Sequence, residues 1–261
     1  PAFPQNGALM RVQAKDTTYL RGSIRYVYDN KAWIDEDNRS KAGKIKRYMM
    51  GGIEGFLYRD EYERAFDLDK NLPNEILARE TIRVEVLKDT VSWSIFTPNR
   101  TENVETASEV NAYYNNIGEQ FFSRALIAGD SYTLTVQRLT AGEEALGAIL
   151  NDLRRREDKN YASVLLMNRE LPSGIETQLY SLTYDIIAGL ETPYEKACAL
   201  RDWLRTNVQY TLNAAYPPDG RDFVSWFVLD DRAGYCTFYA AAMKVMARIA
   251  GLPSRYVEGY L

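Results

Sequence analysis

Two thiols and a complete absence of histidine bound the chemistry open to this chain of 261 residues. Cys236 heads the run "CTFYAAAMKVMARIA", preceded by Gly234 and Tyr235 and followed by Gly251, Leu252 and Pro253. From Cys236 to Ala250 the run is apolar on nearly every side, and Thr237, Lys244 and Arg248 share one narrow polar stripe, the pattern of a helix buried within a domain. Gly251 suits the left-handed residue after the last turn, and Pro253 bars continuation. The free amide groups and dipole at such a helix start favour an anionic sulfur, the nucleophilic form of cysteine. The N–H of Cys236 is placed to meet a developing oxyanion, and Gly234 leaves room for a carbonyl to approach the backbone. The competing reading is a small apolar core residue without chemistry, and position alone leaves both open. Cys198 lies in the middle of another helical pattern, on its apolar stripe, and reads as structural. Two thiols make no disulfide framework, and nothing in their spacing supports a bridge.

The elements that position Cys236 fall in the second half of the chain. A helix is expected from about Ala141 through "EEALGAILNDLRRRE", acidic at its start and with Arg154–Arg156 at its end, as the macrodipole favours. In "LPSGIETQLYSLTYDIIAGL", Ser173 is the expected N-cap, with Glu176 completing a capping box. In "TPYEKACALRDWLRTNVQY", Thr192 is the expected cap and Pro193 the first helical residue. The run "SRYVEGYL" reads as a strand. The first half reads as β. "TYLRGSIRYVYDN" ends in a turn at Asp29 and Asn30, and "ETIRVEVL" puts Ile82, Val84 and Val86 on one face. "DSYTLTVQRL" alternates in the same way, whereas residues 40–52 read equally as loop or short helix. The fold class is therefore α+β. A β-rich, sandwich-like antiparallel domain is expected over residues 1–140, and a mainly helical part over 141–261.

Bulk composition narrows the function classes. Hydrophobic residues make up 46% and charged residues 26%, a globular balance. A net charge of -4 argues against nucleic acid as a partner, since a duplex binder needs a basic face. No run reaches the roughly 18 apolar residues of a membrane-spanning helix, and no signal peptide is visible. The chain opens on Pro1 without methionine, so it is expected to be an excised piece. No metal cluster, phosphate-cradling loop, dinucleotide fingerprint or acidic calcium loop is present, so neither cofactor nor metal is expected.

The stretch "AGYCTFYAAAMKVMARIAGLPSRYVEGYL" resembles the core of the transglutaminase-like superfamily, whose cysteine motif is Gly-x-Cys, an Ala-rich helix, then Gly-[Leu/Ile]-Pro-x-Arg-Tyr-Val-x-Gly-Tyr. Gly234, Cys236, Gly251, Pro253, Arg255, Tyr256, Val257, Gly259 and Tyr260 stand at those places. "YEKACALRDWLRTNVQYTL" and "FVLDDRAGYC" are similar to the segments that lead to the nucleophile. "TTYLRGSIRYVYDNKAW" resembles a segment of bacterial, membrane-anchored members. The resemblance implies a papain-like cysteine enzyme with Cys236 as nucleophile. It also implies an extracytoplasmic location in the cell envelope, and transmembrane helices in the full-length protein. Members also use an upstream aromatic or amide side chain as a second oxyanion donor, for which Trp203, Gln209, Tyr210 and Trp226 qualify by distance along the chain. Each has an alternative reading as a packing residue. Gly234, Tyr235 and Arg255 are expected to support the site, with Arg255 holding the strand against the helix end through carbonyls or standing as a solvated strand residue.

The family's catalytic His and Asp follow the Gly-Tyr segment. These 261 residues hold no histidine, so the chain is expected to carry the nucleophile half of a domain truncated before its His and Asp strands, and to be inactive by itself. The leading function is thioester acyl transfer on protein or peptide amides, with cell-wall association a further expectation, giving crosslinking, deamidation or proteolysis. The alternative is a non-catalytic cell-envelope module in which the β-rich half binds a wall polymer or partner protein.

Overall fold

A computed structural model describes residues 7–25, 27–34, 47–50, 77–90, 93–99, 101–107, 110–115, 120–140, 142–153, 165 and 168–261. The class is α+β, as the patterning indicates. The chain divides into two compact units. The first comprises residues 1–24, 45–142 and 257–261, and the second comprises 25–44 and 143–256.

The first unit is built on strands β1 (Met10–Gln13), β6 (Leu77–Val86), β7 (Thr101–Thr106) and β10 (Ser131–Leu139), hydrogen-bonded in the order β1-β6-β10-β7. The ladders are antiparallel, pairing Val84 with Val12 and with Tyr132. Alternation fixes the buried face, since a one-residue slip would turn every apolar side chain to solvent. Ile82, Val84 and Val86 are buried, and so are Tyr132, Leu134 and Val136. Strands β5 (Arg47–Met50), β8 (Ala112–Asn115) and β9 (Gln120–Phe122) make a second sheet. Residues 47–50 are thus strand and neither the loop nor the short helix expected over 40–52, because pairing with β8 sets their conformation; the rest of that stretch lies outside the described residues. Strand β2 (Leu20–Arg25) pairs with β13 (Tyr256–Tyr260). At this pairing a Cβ on Gly259 would stand 2.0 Å from the Leu20 carbonyl oxygen, so the position admits only glycine.

The second unit opens with the hairpin of β3 (Val27–Tyr28) and β4 (Trp33–Ile34). The turn expected at Asp29 and Asn30 is there. The Asp29 carboxylate accepts from the N–H groups of Lys31 and Ala32, and Asn30 takes φ 73°. Helix α1 (Glu143–Leu153) follows, and Arg154–Arg156, expected at its end, lie outside the described residues. Helix α2 (Thr177–Ile186) departs from expectation at its start, where the N-cap is Glu176 and no side chain caps it. Ser173 instead sits in a turn with Gly174 at φ 104°, and the Glu176 carboxylate is held by Arg221 at 2.7 and 3.1 Å. The Ser225 hydroxyl accepts from the Glu176 N–H, supplying from the tertiary structure what the capping box would have supplied locally.

Helix α3 (Pro193–Asn207) starts as expected. Thr192 Oγ1 accepts from the Glu195 N–H at 3.2 Å, and the Glu195 carboxylate accepts from the Thr192 N–H at 2.9 Å, a complete capping box with Pro193 in the first turn. The short helix α4 (Phe223–Trp226) is capped by Asp222, whose other carboxylate oxygen takes the Tyr28 hydroxyl at 2.8 Å. Helix α5 (Cys236–Ile249) forms the unit's centre. Phe238, Ala241, Ala242, Val245, Met246 and Ile249 are buried among residues from α2, α3 and α4. It ends on Gly251 at φ 83°, with Leu252 N–H bonded to Ala247 O and Gly251 N–H to Arg248 O, a Schellman closure.

Lys244 and Arg248, which the sequence pattern places on a polar stripe, are buried at 3% and 4% exposure. The Lys244 amino group donates to the Arg25 carbonyl at 2.7 Å and lies 3.3 Å from the centre of the Trp33 ring. Arg248 donates to the carbonyls of Glu170 and Ser254. Backbone carbonyls and an indole face replace water around two basic side chains that the sequence alone would leave in solvent.

Candidate active site

Cys236 is the first residue of α5, and its thiol is exposed. That position removes the reading of an inert core cysteine. Tyr235 is the N-cap in an extended conformation, φ -114° and ψ -176°, and contributes no side-chain cap. The amides of Phe238 and Tyr239 both turn back to the Tyr235 carbonyl, while the dipole of a 14-residue helix points its positive end at the sulfur. Cys198 lies inside α3, half-buried.

The approach to Cys236 is set by an irregular segment. After α4 the chain widens into a π-helical turn, Phe227–Asp231, and leaves it through Arg232 in the left-handed region at φ 51°. A non-glycine residue there costs conformational energy that surrounding contacts must offset. Those contacts are the Arg232 N–H to Phe227 O at 2.9 Å and Arg232 Nε to Val228 O at 3.1 Å. Strand β12 (Ala233–Gly234) follows and pairs in parallel with β11 (Gln209–Tyr210). Gln209 N–H donates to Arg232 O at 2.8 Å and Thr211 N–H to Gly234 O at 2.9 Å. These few bonds fix the two residues that lead into Tyr235 and Cys236.

Gly234 is buried. A Cβ built on it would lie 2.5 Å from the Phe238 ring and 2.9 Å from that of Phe227. The space expected for a substrate carbonyl is filled by the two rings, and the glycine permits their packing. The Tyr235 hydroxyl is hydrogen-bonded to Tyr216, which with burial and the neighbouring Tyr216, Cys236 and Tyr256 raises its pKa to about 12.

The four upstream candidates separate by place. Gln209 and Tyr210 are brought to the site, opposite Ala233 and Gly234. Tyr210 is exposed, with its ring 6.2 Å from that of Tyr239, one turn along α5 from Cys236. Tyr239 in turn donates its hydroxyl to the Val208 carbonyl at 2.6 Å, tying the first turn of α5 to the start of β11. Trp203 is half-buried on α3 under the Arg232 guanidinium at 5.8 Å. Trp226 is buried in the core of the unit. Arg255 is exposed on the approach to β13, and the carbonyl contacts that clamp this end of α5 are made by Arg248 to Ser254. Leu212, Tyr216 and Tyr239 are not singled out by the sequence pattern; for the first two the signal is "QYTLNAAYPP", an aromatic-containing segment without helical or strand period. Among the described residues no three acidic or thiol side chains gather into a metal site, and no helix is long and apolar enough to cross a membrane.

Residues 180–261 match the transglutaminase-like superfamily. The chain is 25% identical over 253 residues, 95% of its length, to the Bacillus subtilis (strain 168) protein called Uncharacterized protein YebA, and spans 32% of that protein. Over 51 residues, 20% of this chain and 7% of the relative, it is 47% identical to a protein-glutamine gamma-glutamyltransferase of Pseudomonas aeruginosa. The fold matches the periplasmic domain of TgpA from Pseudomonas aeruginosa with a TM-score of 0.62 at 16% identity, over 98% of this chain and 75% of that one. At that identity the likeness is one of fold.

Proposed function

We propose, from the match of residues 180–261 to the transglutaminase-like superfamily, that Cys236 is the nucleophile of an acyl transfer on protein or peptide amides. The observation that carries this reading is an exposed thiol on the first residue of an otherwise buried helix whose N-terminus has no side-chain cap. The sulfur anion attacks the amide carbon, and the carbonyl oxygen of the tetrahedral adduct takes its negative charge toward the Cys236 N–H. Collapse breaks the C–N bond, and the nitrogen leaves as ammonia or amine after accepting a proton. The product is a thioester on Cys236. An amine then forms a new amide and frees the thiol, whereas water gives a carboxylic acid. Crosslinking, deamidation and proteolysis are thus three outcomes of one intermediate. Gln209 and Tyr210 are the candidates for a second oxyanion donor, since β11 holds both beside Gly234.

Histidine, the side chain that most often delivers the proton to a leaving nitrogen, is absent from these 261 residues. The Cys-His-Asp logic of such enzymes assigns that delivery to an imidazole outside them. The likeness to a periplasmic domain and to a protein-glutamine gamma-glutamyltransferase supports an extracytoplasmic protein acting on protein or peptide amides; membrane anchoring in the cell envelope belongs to the same proposal. The missing histidine is also the observation that favours the second reading, a binding module on a transglutaminase-like scaffold.

The test is to assay the protein that contains these residues for ammonia release from glutamine peptides, for incorporation of a fluorescent amine and for peptide cleavage, beside its Cys236→Ala variant. One of the three activities, abolished by the substitution, is expected. The 261 residues alone are expected to turn over no amide, and Cys236-dependent turnover by them would contradict the assignment of the proton donor. Absence of all three activities from the whole protein favours the binding module.

A further inference from the structure

The segment that pairs with the approach to Cys236 carries two features that its structural role does not use. The first is a free strand edge. In the parallel register of β11 and β12, Gln209 and Thr211 turn their backbone groups to β12. Tyr210, between them, turns its N–H and C=O to the opposite side. Among the described residues no other strand pairs with β11, so this edge is open to a further extended chain. The second is exposed apolar surface. Tyr210 is 61% exposed, Leu212 78% and Tyr216 61%, more than any other described large hydrophobic residue except the terminal Leu261. The two tyrosines reach the first turn of α5, the turn that Cys236 begins. Tyr210 lies against Tyr239, which shares a helix face with Cys236. Tyr216 packs edge-on to Phe238 at 6.0 Å and bonds Tyr235, the residue preceding the cysteine.

Burial of those rings in the core would be favourable and is not taken, while the backbone of the same few residues offers one unpaired donor and acceptor. Main-chain hydrogen bonds with alternating side-chain contacts are how an extended peptide is read at a sheet edge. A folded partner helix would leave the Tyr210 N–H and C=O unmatched, and a polar glycan would leave the rings unmatched. Resting on the acyl-transfer reading above, we infer that the edge of β11 and its rim of Tyr210, Leu212 and Tyr216 seat the substrate as an extended peptide segment with apolar side chains flanking the reactive amide. The structure therefore selects for apolar neighbours around the amide and against acidic ones.

The inference is tested without turnover, by the rate at which Cys236 is alkylated. Two acetylated tripeptide amides carry at their centre a glutamine analogue with a chloromethyl ketone in place of the side-chain amide, flanked by leucine in one and aspartate in the other. Iodoacetamide, which has no side chain to seat, is the reference. Intact-mass kinetics are expected to show the leucine probe reacting about tenfold faster than the aspartate probe, as partial burial of a leucine side chain implies. Leu212→Ser, at a position too exposed to matter for folding, is expected to shrink that ratio to about threefold while the iodoacetamide rate is unchanged. Equal rates for the two probes, with normal reaction toward iodoacetamide, overturn this inference and leave the acyl-transfer reading standing. A Cys236 inert to all three reagents overturns both.

Discussion

Replacing Lys244 with methionine should stabilise the second unit near neutral pH and reverse sign in mild alkali. Burial, followed by repulsion from Arg248 and Arg255, lowers the Lys244 ammonium from 10.5 to about 5. Between 10.5 and pH 7 such a shift corresponds to about 5 kcal/mol against the folded state. The Arg25 carbonyl and the Trp33 ring both favour the ammonium form and offset about 2 kcal/mol of this. Methionine keeps the apolar stem but leaves the Arg25 carbonyl without its donor, at about 1–3 kcal/mol. The net is a gain of about 1 kcal/mol at pH 7, or a Tm rise of about 3 °C for a chain of this size. The pH dependence is the sharper signature. From about pH 5 to 10.5 the unfolded chain binds a proton at this lysine that the folded chain does not, so wild-type stability rises with pH by up to about 1.4 kcal/mol per unit from this group. The variant lacks that component, so its advantage shrinks as pH rises and becomes a deficit above about pH 8, until by about pH 10.5 only the lost carbonyl bond remains. Urea titrations at pH 6, 8 and 10, followed by tryptophan fluorescence, measure the difference. A constant wild-type-minus-variant difference across that range would refute the account, because it would mean Lys244 carries its proton equally in both states.

Other outcomes follow from the same packing. Gly234→Ala drives a methyl into Phe238 and Phe227, both fully buried, and is expected to cost about 2–3 kcal/mol. It should also slow alkylation of Cys236 by any reagent, because β12 leads directly into the cysteine; a thermal scan and intact mass read the two effects. Thr192→Ala removes one half of a complete capping box and should lower stability by about 1 kcal/mol in denaturant titration, whereas Ser173→Ala, outside any cap, should leave it within about 0.5 kcal/mol.

Local chemistry was legible wherever a few consecutive residues determine the outcome. The Gly-Leu-Pro that closes α5, the Thr-Pro-x-x-Glu that opens α3, and the alternation of Ile82, Val84 and Val86 all act within one turn or one strand face. Contacts between distant segments were not legible. The Glu176 carboxylate follows Arg221 rather than Ser173, because a bidentate guanidinium partner outweighs a single backbone N–H three residues away. Lys244 and Arg248 read as a polar stripe because nothing near them announces that Trp33 and the carbonyls of Arg25, Glu170 and Ser254 will solvate them. The same holds for the inclusion of residues 25–44 in the helical unit. At the site, Cys236 stood out because its helix has such marked ends. β11 and β12, two residues each, carry no period, so the arrival of Gln209 and Tyr210 beside Gly234 rests on the register of the two strands.

The central claim is that the sulfur of Cys236, and not that of Cys198, is presented as a nucleophile by the start of α5. Limiting iodoacetamide followed by peptide mapping tests it most directly. Modification of Cys236 at least about tenfold faster than of half-buried Cys198 is the predicted result. Equal labelling of the two, or faster labelling of Cys198, would contradict it.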